Sequence, residues 1–290
     1  MKKLFTLIIL SCIALNGSSQ IQQNTEEIRL IIRVDDIGFS HGVNLACIET
    51  LEKGIATSVE IMVPAPWFPE AAKMLAERPE LDVGIHLVLT SEWQNLKWRP
   101  LTHAQSLVDN DGYFHPLIWP NDKRKGEATF LLENKWKLGE VEAELRAQIE
   151  LAKKYLPHLS HFTAHMGCIQ MDPKVKELAK KLGEEYMIDI YPEDFGVQRM
   201  PGFGGAQTTP EEKIENFIKN LDTLTPGLWL FVDHPGLNTP EMQAIGHKGY
   251  MDVAADRNGV TIALTDERVK KAIEEKGIKL VKYSDLKKSN

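Results

Sequence analysis

Residues 29–38, Arg29-Leu30-Ile31-Ile32-Arg33-Val34-Asp35-Asp36-Ile37-Gly38, decide the fold. An apolar run broken only at Arg33 reads as a strand covered on both faces, because a strand with one wet face would alternate apolar and polar residues. It gives way at once to two carboxylates and a glycine. A helix-period stretch, Gly42 to Lys53, and a second apolar run, Ser58 to Val63, come next. Working outward, the same alternation recurs: Val83 to Leu89, Ser160 to His165, Met187 to Ile190, Gly227 to Val232 and Ile278 to Val281 are predicted strands. Between them Pro69 to Glu77, Glu140 to Tyr155, Pro173 to Leu182, Pro210 to Leu221 and Asp266 to Lys276 are predicted helices. Alternating β and α elements place the chain in the α/β class, with about seven parallel strands in a closed or nearly closed (β/α) barrel.

One connection breaks the rhythm. Thr90 to Gly139, about 50 residues after the third strand, far exceeds the usual two to six residues of a strand-helix loop. It carries Trp93, Trp98, Trp119 and Trp136, and it is predicted to overhang the end of the barrel where such folds place their chemistry. No linker-like stretch divides the chain, so residues 20–290 read as a single domain. Residues 1–19 have the layout of a signal peptide: Lys2-Lys3, the apolar run Leu4 to Leu15, then Asn16-Gly17-Ser18-Ser19. That predicts an exported protein, periplasmic or secreted, without a permanent membrane span. Lipid anchoring at Cys12 is the weaker reading, since Ile9-Leu10-Ser11 fits a lipoprotein cleavage box poorly. Only Cys47 and Cys168 remain beyond that segment, so no disulfide framework holds the fold. With 43% hydrophobic and 26% charged residues the composition is that of a globular protein, and a net charge of -7 argues against nucleic acid as a partner. The sequence is compatible with a homodimer.

Strand ends supply the chemistry. Asp35 and Asp36 close the first strand, and since neighbours on a regular strand point to opposite sides, the two are expected to do different jobs. An isolated Asp in this place would more simply cap the helix that begins after Ser40-His41; a pair of like charges at a half-buried site calls for a cation instead. His86 sits inside the third strand, where a lone histidine is ordinarily a hydrogen-bonded core residue. His161 and His165 lie four apart on the fourth, with His165 nearer the barrel mouth. His234 follows the sixth strand, projected by Pro235-Gly236. Taken together, Asp36, His86 and His165 form a set of two histidines and one carboxylate, the pattern of a catalytic metal site with open positions for water and substrate.

Beyond these residues, the chain resembles the YdjC/ChbG-like carbohydrate deacetylase family over nearly its whole length. The resemblance runs through Val34-Asp35-Asp36-Ile37-Gly38, Gly42-Val43-Asn44, Gly84-Ile85-His86-Leu87, His161 to Gly167 and His234-Pro235-Gly236. It also covers Arg99-Pro100-Leu101, Gly112-Tyr113-Phe114 and Leu264-Thr265-Asp266. The resemblance implies a distorted (β/α) barrel that removes N-acetyl groups from amino sugars or their oligosaccharides with one divalent metal ion, magnesium or zinc. Carried over, Asp36, His86 and His165 are metal ligands, Asp35 the general base and His234 a second acid/base. Two departures stand out: Arg33-Val34 replaces the family's usual Asn-Ala, and Thr163 stands where an Asp is common. Trp93, Trp98 and Arg99 are the candidate substrate contacts, the indoles as flat faces for sugar rings. The same ligand set would also serve an esterase or phosphoesterase, and a non-catalytic carbohydrate-binding protein on the same scaffold is the remaining alternative.

Overall fold

The hub of the fold is the first strand, β1 (Ile28–Ile37), in a computed structural model that describes residues 26–286 apart from 125, 127 and 206. The signal-peptide segment 1–19 and Cys12 lie outside the described residues. β2 (Ser58–Ile61), β3 (Val83–Leu87), β4 (His161–Ala164), β5 (Gln198–Arg199), β6 (Gly227–Asp233) and β7 (Lys279–Leu280) complete one sheet in the order β4-β3-β2-β1-β6-β5, with β7 also on β1. Every named pair is parallel. β6 runs along one edge of β1, from Ile28 opposite Gly227 to Val34 opposite Asp233. The other edge is divided: β7 takes Arg29 and Leu30, and β2 takes Arg33 to Ile37. No pairing between β4 and β5 closes the barrel among the described residues.

Both faces of β1 are covered, as its composition requires. Leu30, Ile32 and Val34 point into the large core shared with the helices, while Ile31 joins Leu228, Leu230, Val281 and Tyr283 in a smaller cluster on the other face. Each aliphatic chain buried there contributes roughly 1.5–3 kcal/mol. The surrounding helices are α1 (His41–Glu52), α2 (Phe68–Ala76), α3 (Leu138–Tyr155), α4 (Pro173–Tyr186), α5 (Pro210–Leu221), α6 (Pro240–Gln243), α7 (Val253–Thr265) and α8 (Glu267–Glu275). Among the described residues no helix is long and apolar enough to cross a membrane.

Two elements differ from expectation. Met187 to Ile190 is not a strand: Met187 takes a left-handed conformation (φ 56°) that ends α4 and leaves its side chain 78% exposed. Only an isolated bridge joins Asp189 to His161, and the fifth strand is instead the two-residue β5. Helix α7 was not anticipated because most of it is buried, its buried residues including Gly259 and the β-branched Val253, Val260 and Thr261, so no clean apolar stripe marks it.

Among its described residues the long connection between β3 and α3 holds three short 3-10 turns and no strand of its own. It is tied down from below. Glu144 on α3, fully buried, accepts hydrogen bonds from the Leu101 and Thr102 amides and the Thr102 hydroxyl. Beyond β3, Thr90, Ser91 and Glu92 are buried rather than overhanging.

Candidate metal centre

The centre begins with an irregularity at the end of β1. Pairing with β2 slips between Val34 and Ile37, and Asp36 adopts φ 78°, a conformation that Asp tolerates better than most residues. The bulge turns consecutive side chains to the same side, so Asp35 and Asp36 line one cavity. The expectation of opposite-facing carboxylates assumed a regular pleat and does not hold here. Neither carboxylate caps the next helix; Ser40 does, its hydroxyl accepting from the Val43 amide at 3.1 Å.

The cavity, about 460 Å³, is also lined by His86, His165, His234, Trp93 and Arg257. Asp36, His86 and His165 are all buried, and one potential ligand atom from each lies within 4.8 Å of the others. His86 Nε2 is 3.6 Å and His165 Nδ1 3.3 Å from Asp36 Oδ1. That oxygen is buried and accepts no hydrogen bond, while its neighbour Oδ2 takes one from Arg257 Nη2 at 2.7 Å. A carboxylate oxygen left bare between two imidazole nitrogens is an expensive arrangement unless a cation shares it. The residues present therefore fit a divalent ion, with the donor chemistry of a site that keeps open positions.

Charge in the centre is tightly managed. Burial alone would raise the Asp36 carboxyl, but the Arg257 guanidinium, with His234 and His165, holds it well below the usual range. Burial, with His165 adding to it, pushes His86 down to about 3, so its ring is neutral. For His165 burial works the other way from its neighbours, and the carboxylates of Glu92 and Asp36 win, pushing it up to about 10. His165 Nε2 meets Glu92 Oε2 at 3.0 Å, the carboxylate-histidine arrangement that orients metal ligands elsewhere.

A YdjC-like family profile matches residues 29–275. The chain belongs to the YdjC-like family. It is 34% identical over 237 residues to a carbohydrate deacetylase of Thermus thermophilus, covering 74% of this chain and 80% of the relative. A carbohydrate deacetylase of Brevibacillus brevis is 30% identical over 270 residues, covering 89% of this chain and 99% of that one. Among solved structures, one from Enterococcus faecalis V583, provisionally described as a cellobiose-phosphate cleavage protein, superposes with a TM-score of 0.70 at 25% identity. That match covers 90% of this chain and 100% of the other.

The departures from the YdjC-like pattern now have structural partners. Arg33 reaches two residues along β1 and grips Asp35 with both arms, Nε to Oδ1 at 2.8 Å and Nη2 to Oδ2 at 2.9 Å. Asp35 is thereby held facing the cavity, 3.9 Å from His86 Nε2. Thr163, on β4 opposite His86, places its hydroxyl 2.7 Å from His86 Nδ1. His161, which shares β4, is not part of the cavity; it is fully buried, bonded to Glu60 at 2.6 Å and stacked on Tyr283 at 3.7 Å. His234 stands just past β6 with 42% of its side chain exposed. Partial desolvation at the cavity mouth would lower its pKa, but Asp36 and Asp233 outweigh that and raise it above the ordinary histidine value.

The substrate-contact expectation divides. Trp93 does line the cavity, stacked on His247 at 5.5 Å with the Arg257 guanidinium 5.6 Å from its ring. Trp98 is packed behind His165 and Phe39, with Nε1 donating to the Thr90 carbonyl at 2.7 Å, and presents no face to a ligand. Arg99 lies on the surface over Tyr113. Both fall outside the cavity because the connection folds inward after β3, burying the indole that an overhanging loop would have exposed. Sequence reasoning missed Glu92 and Arg257. Glu92 sits in a stretch without periodicity, and its nearness to the third strand end was the one available signal; Arg257 lay on the unanticipated α7.

Proposed function

We propose that the protein is a metal-dependent carbohydrate deacetylase, hydrolysing the N-acetyl groups of amino sugars or their oligosaccharides. The observation that carries this reading is the bare Asp36 Oδ1, facing two histidines in a cavity that also presents Asp35 and His234. The carbohydrate deacetylases among its relatives support it. Asp36, His86 and His165 would hold a divalent cation, which supplies Lewis acidity toward a water and the acetyl carbonyl. Asp35, fixed by Arg33, accepts a proton from the water as its oxygen bonds to the acetyl carbon. His234 gives a proton to the departing nitrogen as the C–N bond breaks. The products are acetate and a free amine. Glu92 keeps the His165 ring in register throughout.

Sugar contact falls first to Trp93 and then to Trp119. Trp119 is 44% exposed and lines a neighbouring groove of about 500 Å³ with Leu117, Pro120, Asn121 and Met166. Met166 lines the metal cavity as well, so the two spaces adjoin. Replacing Trp119 with Ala is expected to lower kcat/KM on N,N'-diacetylchitobiose about tenfold, close to 1.4 kcal/mol, while N-acetylglucosamine turnover is unchanged. Equal losses on both sugars would remove Trp119 from substrate binding.

Arg257 offers a test of the charge balance. Its ion pair with Asp36 is buried, and Arg257→Met leaves the carboxylate uncompensated at a cost of about 3–5 kcal/mol. Added zinc is expected to restore much of that stability by supplying the missing charge. Urea unfolding with and without zinc reads both effects; a variant as stable as the parent without zinc would contradict the balance.

The function itself is tested by acetate release from N-acetylated mono- and oligosaccharides, with and without chelator. Acetate release that chelator abolishes and zinc or magnesium restores is the expected result. Phosphate release from a phosphorylated sugar without acetate would replace the reading with a phosphoesterase, and oligosaccharide binding without turnover would make the protein a binder.

A further inference from the structure

Glu60 is a buried carboxylate behind the centre that the proposed chemistry leaves unused. It lies on β2, fully buried, outside the cavity lining, and each of its oxygens has a single short partner. His161 Nε2 sits 2.6 Å from Oε1, and the Thr163 hydroxyl donates to Oε2 at 2.6 Å. The side chain reaches both by crossing β3 at Gly84, which pairs with Glu60 on one side and His161 on the other. A Cβ at Gly84 would come within 2.4 Å of both Glu60 Oε2 and His161 Nε2. The crossing therefore exists only because residue 84 is glycine.

With Glu60 as the carboxylate acceptor, the polarity of this chain follows. A hydroxyl has one proton to give, and Thr163 gives it to Glu60. Its oxygen can then only accept from His86 Nδ1, 2.7 Å away, so that nitrogen carries the proton. His86 Nε2 is left with its lone pair, directed toward Asp36 Oδ1.

We propose that Glu60 is a positioning residue for His86, acting through the Thr163 hydroxyl to fix the tautomer and ring orientation that a metal ligand requires. Thr163 carries no charge of its own; the carboxylate comes from the strand beyond Gly84, with the hydroxyl as intermediary. The role rests on the metal-centre reading of the proposed function, and carboxylates that orient ligating histidines are typically worth 10–100-fold in metal affinity.

The experiment measures zinc affinity by competition with a chromophoric chelator, without substrate, on the full chain and three variants. Thr163→Val keeps the shape and the Glu60–His161 contact but removes the relay, and is expected to weaken zinc binding about 10–100-fold. Thr163→Ser returns the hydroxyl and is expected to stay within about threefold of the parent. Glu60→Gln weakens binding alone but adds little in the Thr163→Val background, because both act on one path. Nitrogen-15 spectra of the metal-free protein give a second reading that needs no metal: His86 protonated at Nδ1 in the parent, and a mixture of tautomers in Thr163→Val. Parent-like zinc affinity and an unchanged His86 tautomer in Thr163→Val would overturn the relay while leaving the centre intact. A parent chain that binds no zinc would overturn the metal centre itself, and the role of Glu60 with it.

Discussion

Asp36→Asn is expected to empty the metal centre and to lower acetate release by about three orders of magnitude or more, since the ion is asked to supply several kcal/mol of transition-state stabilisation. The amide keeps the shape of the side chain but cannot be the anionic member of the ligand set. It also strands Arg257, whose Nε and Nη1 already lack hydrogen-bond partners and whose one buried bond goes to Asp36 Oδ2. The variant should therefore lose stability as well, by about 3 kcal/mol or more. Zinc content, acetate release and the urea midpoint separate the two effects: if the variant binds zinc stoichiometrically and turns over, Asp36 is not the ligand. Folding loss alone would not explain a well-folded variant at low temperature with no zinc and no activity.

Asp35→Asn is expected to behave differently. Its side chain sits at the same bulge but faces Arg33, so removing its charge leaves the ligand set in place while taking away the proton acceptor. Zinc binding should stay near the parental level and kcat should fall by about 10²–10⁴, the range for a positioned general base. Full activity in this variant would assign the base elsewhere. Loss of zinc together with activity would make Asp35 a ligand, contrary to the geometry in which Asp36 Oδ1 is nearer both histidines.

Residues at strand ends were the ones legible in the sequence. Asp36, His86, His165 and His234 each interrupt or follow an apolar run, and in a parallel barrel the ends of such runs converge without any help from spacing. The structure brings all four to one cavity with Asp35. What the sequence could not convey was local geometry. An alternating pleat predicts divergent Asp35 and Asp36, and only the slipped register with its positive φ turns them together. Trp93 and Trp98 look alike in sequence, five residues apart, and both are 3% exposed, yet of the two only Trp93 lines the cavity. Glu92 and Arg257, the partners that set the charge of His165 and Asp36, come from an aperiodic connection and a mostly buried helix. Neither leaves a periodic trace.

Long-range pairing explains the rest. Thr163 reads as the loss of an acidic neighbour as long as only its own strand is considered. Glu60 is about a hundred residues earlier in the chain, and its approach depends on a glycine on the strand between them. A side chain that reaches across a sheet is invisible until the register is known.

Anomalous diffraction from crystals soaked in zinc tests the central claim most directly. The account predicts one strong peak at about 2.0–2.2 Å from Asp36 Oδ1, His86 Nε2 and His165 Nδ1 together. A peak bound elsewhere, or none at these three residues in a crystal that takes up zinc, would contradict it.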